Sequence, residues 1–174
     1  MAVTQALSLA QLLVGCLATQ LQNPHPWPVP SERVMLRAGE QVIPMLASTG
    51  EDECCLGLGY VRIAGVDGVR DVTDRMAASG CFMNERVLTL ELGVYRCMPT
   101  PDAGAIVSAT QWDTLAAKLD ADWKAMEAAV CCAFSDPDSL RINAVAVGLY
   151  EPVGPDANCL GGRMTVSVSM EACC

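Results

Sequence analysis

Hydrophobic and mixed positions alternate most regularly over residues 86–97. Every second side chain there is aliphatic, in the order Leu88, Leu90, Leu92 and Val94. A period of two is typical of a β-strand with one apolar face. We therefore predict that residues 86–97 form the central strand and that its apolar face packs against a helix.

Two segments repeat apolar residues at helical spacing. In residues 1–22, leucines and Cys16 recur at the i, i+3, i+4, i+7 positions of an amphipathic N-terminal helix. The proline-rich stretch 23–30 ends it, because proline removes backbone donors and favours an extended path. The longer helix is predicted at residues 109–134, where Ser108 and Gln111 have the spacing of a capping box.

The apolar stripe of the long helix should lie on the Leu88–Val94 face of the central strand. Trp112 and Trp123 belong to this stripe and are interpreted as core anchors. The charged residues of the helix fall mainly off the stripe and are expected to face solvent: Asp113, Asp120, Asp122, Lys124 and Glu127.

The other strands are shorter or less regular. Residues 33–66 are predicted to hold strands and a loop, with β-like runs at 33–37, 41–46 and 56–66. Residues 69–85 are compatible with a short helix or with a long ordered loop.

A C-terminal strand pair is predicted within residues 140–171. The run 140–149 is apolar on both faces, which indicates burial on both sides. The connection 151–162 is rich in proline and glycine, and we expect it to project from the sheet rather than form a tight hairpin.

This order of elements favours an α+β fold. We predict a two-layer sandwich, in which a mainly antiparallel β-sheet is backed by the N-terminal helix and the one long helix. The length of 174 residues suits a single domain over residues 1–174.

The charge balance excludes several classes of function. The chain has 20 acidic and 11 basic residues, a net charge of −9 and no basic run. A surface that neutralises nucleic-acid phosphates is therefore not expected, and neither is attraction to a membrane. No stretch reaches the roughly 18–20 apolar residues of a membrane span. A secretory signal is not expected either, because the first basic residue is Arg33.

Ten cysteines are present, and six of them form adjacent pairs. Neighbouring cysteines do not easily bond to each other, and no CxxC spacing indicates a zinc site. We expect free, mostly buried thiols in a reducing cytoplasm. The alternatives are a disulfide framework and a metal site.

Candidate chemistry is sparse. His25, the only histidine, lies in the proline-rich stretch and is interpreted as a surface-loop residue. The acidic residues 51–53 are interpreted as a solvated loop rather than a metal site. No P-loop or GxSxG elbow occurs. We therefore expect no catalytic residue, no cofactor, no metal and no enzymatic activity.

Several strings carry a family resemblance. They are LELGVYRCMPTPDAG, QWDTLAAKLDADWKAMEAAVCC, CCLGLGYVRI, and EPVGP followed by GGRMTVSVSM. Together they cover most of residues 5–170. In these strings the chain resembles the tail-terminator proteins of long-tailed (siphovirus-type) bacteriophages, especially phages of actinobacteria.

The resemblance implies a helix-backed β-sheet domain that forms a homo-oligomeric ring, most often of six copies. Such a ring ends the tail tube, and its partners are the major tail tube protein and the head–tail connector or completion protein. It implies a virion location in the tail neck after assembly in the host cytoplasm. DNA passes through the lumen without specific binding, and no membrane is involved.

Ring closure needs two complementary surfaces on each subunit. The segments 38–55, 67–85 and 151–162 and a sheet edge are candidates for them. Charged residues that set the register between subunits are predicted to be Arg37, Arg62, Arg70, Arg75, Glu91 and Arg163. Two other readings stay open: a head–tail completion or minor tail protein of the same neck, and a cysteine-rich binding or redox domain.

Overall fold

The computed structural model describes residues 4–39, 55–69, 84–99, 101, 106–156 and 158–172. Its elements are α1 (Gln5–Gln22), a 3₁₀ turn (Ser31–Arg33), β1 (Val34–Arg37), β2 (Leu58–Val69), β3 (Asn84–Cys97), α2 (Ala109–Ala133), α3 (Pro137–Leu140), β4 (Ile142–Asp156) and β5 (Cys159–Ala172). The predicted run 41–46, the acidic residues 51–53 and residues 70–83 lie outside the described part. The α+β prediction is confirmed.

The five described strands form one sheet in the order β1-β2-β3-β5-β4. Only β1 and β2 run parallel, and the other three pairings are antiparallel. The ladder between β3 and β5 is continuous, from Asn84 opposite Ala172 to Cys97 opposite Cys159. The prediction of a mainly antiparallel sheet with residues 86–97 at its centre is therefore confirmed.

Local signals define where both long helices begin. The Thr4 hydroxyl accepts a hydrogen bond from the Leu7 N–H at the start of α1. At the start of α2 the predicted capping box is present, since Ser108 and Gln111 exchange hydrogen bonds between side chain and backbone. The first helix ends at Gln22, directly before the proline-rich stretch.

The core lies between the helices and one face of the sheet. Leu88, Leu90, Leu92 and Val94 are all completely buried there. They pack in one cluster with residues of α1, α2, β4 and β5. The predicted apolar face of β3 is thus confirmed. The long helix does not cover this side of the sheet alone, however. Helix α1 packs on β1 and β2, while α2 packs mainly on α1 and β5.

The interpretation of the two tryptophans as core anchors is wrong. Trp112 and Trp123 are 44% and 36% exposed. Small residues of α2, Ala125, Ala129 and Ala133, are buried instead, and they allow α2 to approach α1 closely. Tight helix packing therefore turns the bulky indole rings towards the surface.

The expectation that residues 140–149 are buried on both sides is also wrong. Among the described strands β4 pairs only with β5, so it is an edge strand. Leu149 is 84% exposed and Val147 is 50% exposed. Apolar residues on both faces of a strand indicate burial only where other layers cover both faces of the sheet.

The connection 151–162 does not project as a loop. Residues up to Asp156 continue β4, and β5 begins at Cys159. Asn158 has a left-handed φ of 65°, a conformation that tight hairpins require. Three register shifts along β4 accommodate the extra residues, and such bulges are invisible to a count of residues.

The prediction that all cysteines are free is wrong. Cys16 of α1 is bonded to Cys132 of α2, and Cys55 is bonded to Cys97 of β3. Cys159 is disulfide-bonded as well, whereas Cys131 is a free, exposed thiol. The Cα–Cα distances of 5.9 and 4.4 Å for the first two pairs come from tertiary packing, which the spacing of cysteines along the chain does not reveal.

Leu90→Ala is expected to reduce the free energy of unfolding by about 2–5 kcal/mol, because it leaves a cavity in a fully buried site. Chemical denaturation monitored by circular dichroism measures this loss. Val66→Ala is the matched control, since Val66 is half exposed on the neighbouring strand. An equal loss in both variants would contradict the assignment of the core face.

Candidate functional site

Four of the six predicted interface residues lie on the sheet face opposite the helices. Arg37 lies beside Arg62 in the β1–β2 register, and Arg62 lies beside Glu91 in the β2–β3 register. Arg163 of β5 pairs with Gly93 and with Glu151 of β4. These five charged residues, Arg37, Arg62, Glu91, Arg163 and Glu151, form a row across all five described strands, which we call the charged row. Arg70 and Arg75 lie outside the described residues.

Glu91 is the anchor of the charged row. Its carboxylate accepts hydrogen bonds from Arg62 Nε at 2.8 Å and Arg62 Nη2 at 2.7 Å. The two parallel bonds form a bidentate pair, the strongest arrangement between these groups. Tyr60 donates its hydroxyl proton to Glu91 at 2.9 Å, and Arg163 Nη1 lies 3.7 Å away.

A small apolar cluster supports Glu91 on the same face. The rings of Tyr60 and Tyr95 are stacked with centroids 5.9 Å apart. Gly93 makes room for Tyr60, because a Cβ at position 93 would lie 2.6 Å from the Tyr60 ring. Ring packing thus fixes the Tyr60 hydroxyl that donates to the Glu91 carboxylate.

These contacts favour the charged form of Glu91. Burial raises its pKa, but hydrogen bonds from Arg62 and Tyr60 and the positive charges of Arg62 and Arg163 outweigh burial, so the pKa lies below its ordinary value of 4.5. Burial and the Glu91 charge together raise the pKa of the Tyr60 hydroxyl above its usual range. The pair therefore stays an anion with a neutral donor at neutral pH.

The charged row ends differently at its two sides. At the β4 side, Arg163 bonds to Glu151 at 2.9 Å, and the Glu151 side chain is 58% exposed. At the β1 side, Arg37 Nε is buried without a hydrogen-bond partner among the described residues. The row therefore presents an anion at one edge of the sheet and an incompletely satisfied cation at the other.

A second polar cluster lies beneath the helices. Arg96, at the end of the apolar face of β3, donates to Asp122 of α2 through Nε at 2.8 Å and Nη2 at 2.5 Å. Arg96 Nη2 also donates to the Trp27 carbonyl at 2.9 Å. The Asp122 side chain is 1% exposed. This cluster joins β3, α2 and the proline-rich connection.

His25 belongs to this buried cluster, so its interpretation as a surface-loop residue is wrong. Its side chain is 3% exposed, and Nε2 lies 3.1 Å from Asp122 Oδ1, outside the angular range of a hydrogen bond. Nδ1 accepts the Trp27 N–H at 3.1 Å. An accepting Nδ1 assigns the neutral tautomer with its proton on Nε2.

The buried cluster is built for structure. One His25 nitrogen is occupied by backbone and the other faces a carboxylate that already holds Arg96, so neither is turned towards a substrate. Tyr150 lies nearby, its ring 6.3 Å from that of Trp123. Burial, followed by the Asp122 charge, raises the pKa of Tyr150 to about 12. The described residues contain no group of three or more His, Cys, Asp or Glu that could hold a metal ion.

Sequence reasoning missed Asp122 and Arg96, although a signal was present. Arg96 is in phase with Leu92 and Val94, so it points to the apolar face and needs a buried counter-ion. Asp122 was expected to face solvent, because the helical stripe was centred on the tryptophans. Placing the alanines of α2 inside brings Asp122 to the buried face.

Asp122→Ala is expected to lower the free energy of unfolding by about 3–5 kcal/mol, because it leaves the buried Arg96 guanidinium without its counter-ion. Asp120→Ala is the matched control on the same helix. Asp120 forms an exposed pair with Lys124, and its loss should cost less than about 0.5 kcal/mol. Urea denaturation of both variants compares them, and similar costs would contradict the buried cluster.

Glu91→Gln is expected to weaken the acid dependence of stability. A carboxyl whose pKa is lowered by folding stabilises the fold above its unfolded pKa, and it loses that contribution as pH falls through the folded value. The difference between wild type and variant should be about 3 kcal/mol at neutral pH and should shrink as pH falls below 4.5. Glu127→Gln, at an exposed position, is the control. A difference independent of pH would contradict the assignment.

The chain was compared with known proteins as a whole. No protein-family model matches the sequence, and no curated protein matches it either. Among the described residues, no helix is long and apolar enough to cross a membrane.

Proposed function

We propose that the chain is a structural virion protein, a tail terminator of a long-tailed bacteriophage. Six copies of it close into a ring that ends the tail tube and joins it to the head–tail connector. The ring is not an enzyme and needs no cofactor. It acts by presenting one surface to the major tail tube protein and another to the head's completion protein.

The resemblance to tail terminators supports the proposal because it falls on the framework of the fold. The quoted strings contain much of β2, β3 and β5, and most of α2. The fold that the resemblance implies, a β-sheet backed by helices, is the observed one. The same positions therefore carry both the resemblance and the layer architecture.

The single observation that carries the ring proposal is the polarity of the charged row. A closed head-to-tail ring needs two different, complementary surfaces on each subunit. The row has exposed Glu151 on β4 and half-buried Arg37 on β1, at the two outer strands of the described sheet. In the proposed ring, Glu151 of each copy approaches Arg37 of the next, which fixes the register by charge.

Overall charge and disulfides also agree with this role. A net charge of −9 suits a protein that surrounds a DNA channel, because like charge repels phosphate and prevents sticking. Disulfides persist on virions after release into an oxidising medium. In this proposal the chain assembles in the host cytoplasm and resides in the tail neck.

Charge exchange tests the ring contact. Purified major tail tube protein is polymerised with the chain, and tube lengths are measured by electron microscopy. Wild type should give tubes of limited length. Arg37→Glu and Glu151→Arg alone should give overlong tubes, because each places like charges together. The double variant should restore the limit, since it exchanges the two charges.

The assay also separates this function from the runner-up, a head–tail completion protein of the same neck. A completion protein leaves tube length unchanged and adds to the head connector instead. Lys124→Glu, at an exposed site on α2, controls for a charge change outside the row. Tube lengths insensitive to the wild-type chain would refute the proposal.

A further inference from the structure

The outer edge of β4, which no described strand pairs with, has two halves of different character. Residues 151–156 contain Pro152 and Pro155, and natural proteins use proline to keep an edge strand from pairing. Residues 143–149 contain neither proline nor charge, and all except Val145 are exposed. An open, uncharged, apolar edge of this kind is a template for another β-strand.

The sequence of this half is nearly symmetric about Ala146. Val145 and Val147 flank the centre, and Ile142 and Tyr150 stand at equal distances further out. Beyond them, Arg141 and Glu151 are related in the same way, with opposite charges. An antiparallel pairing of two identical strands about Ala146 therefore places apolar residues opposite apolar residues and a cation opposite an anion.

The geometry of β4 satisfies the same symmetry. Val145 lies opposite Val168 and Val147 lies opposite Val166, and both partners are fully buried on the helix side. Directly opposed residues of an antiparallel pair point to one face. The mirror-related valines of two copies would thus meet on the helix side. Between Ile142 and Tyr150, one register shift lies on each side of Ala146, so within this half the irregularities are distributed on both sides as well.

We infer that the free edge of β4 is covered in the unassembled protein by β4 of a second copy. The two strands run antiparallel with the two Ala146 residues facing each other at the two-fold axis. Arg141, the left-handed residue directly before β4, comes next to Glu151 of the other copy, and the two sheets become continuous. Charge complementarity selects this occupant over an unrelated strand.

This contact goes beyond the ring proposal. A subunit cannot make the dimer contact and the ring contact at the same time. The dimer occupies the β4 edge and Glu151, which the proposed ring uses in a head-to-tail contact. A dimer of this kind protects the edge from aggregation and keeps free subunits from closing into rings before a tube end is present. It exists or fails in isolated protein, independently of any tail.

Cysteine crosslinking at the two-fold axis tests the register. Cys131→Ser removes the described free thiol, and Ala146→Cys or Ala144→Cys is added to that parent. At the axis the two side chains at position 146 are nearest neighbours, so mild oxidation should give a covalent dimer with Ala146→Cys. Ala144 lies opposite Gly148 of the second copy, so Ala144→Cys should crosslink no more than the parent.

The mass of the native protein in solution tests whether a second copy covers the β4 edge. Light scattering coupled to gel filtration should give a dimer for wild type and for the control Lys124→Glu. Arg141→Glu places two acids together at both ends of the pairing and should give a folded monomer, with the circular dichroism spectrum of the wild type. A wild-type monomer at all attainable concentrations, or equal crosslinking at positions 144 and 146, would overturn the inference. Neither result bears on tube-length control, so the ring proposal is tested separately.

Discussion

The central strand β3 is buried on both faces from Glu91 to Arg96, and every charged side chain in this part must therefore be paired. On the helix side Arg96 is held by Asp122, and on the opposite side Glu91 is held by Arg62. An unpaired charge at either site would cost several kcal/mol. These two pairs link β3 to α2 and to β2, so the position of one strand determines that of its neighbours.

The two ion pairs serve different ends. The Arg96–Asp122 pair is closed, since His25 and the Trp27 backbone complete its contacts and little of it reaches solvent. The Glu91 pair is the buried centre of the charged row, which becomes more exposed towards β4. The Arg96–Asp122 pair therefore holds the helices on the sheet. The Glu91 pair is continued by Arg163 and Glu151 to the exposed side of the sheet.

The parts of the fold that could be predicted are those specified by neighbouring residues. The alternation of Leu88–Val94 and the capping box of Ser108 and Gln111 are local patterns, and both predictions are confirmed. The edge position of β4 and the Cys16–Cys132 disulfide depend on which distant segments meet. Spacing along the chain carries little information on such contacts, so these predictions failed.

The candidate site was predicted in part for the same reason. Arg37, Arg62, Glu91 and Arg163 were named because they lie in or beside candidate interface regions, and their role between subunits stays a prediction. Their alignment in one row follows from strand order and register, which the sequence does not display. Glu151 was missed because it was assigned to a projecting connection rather than to an edge strand.

Locating this chain in the assembled particle is the most direct test of the proposed role. A cryo-electron microscopy reconstruction should show a closed ring of copies between the tail tube and the head connector, with β4 of each copy beside β1 of the next. Density for the chain at any other place in the particle, or copies in the neck that do not contact one another, would contradict the account.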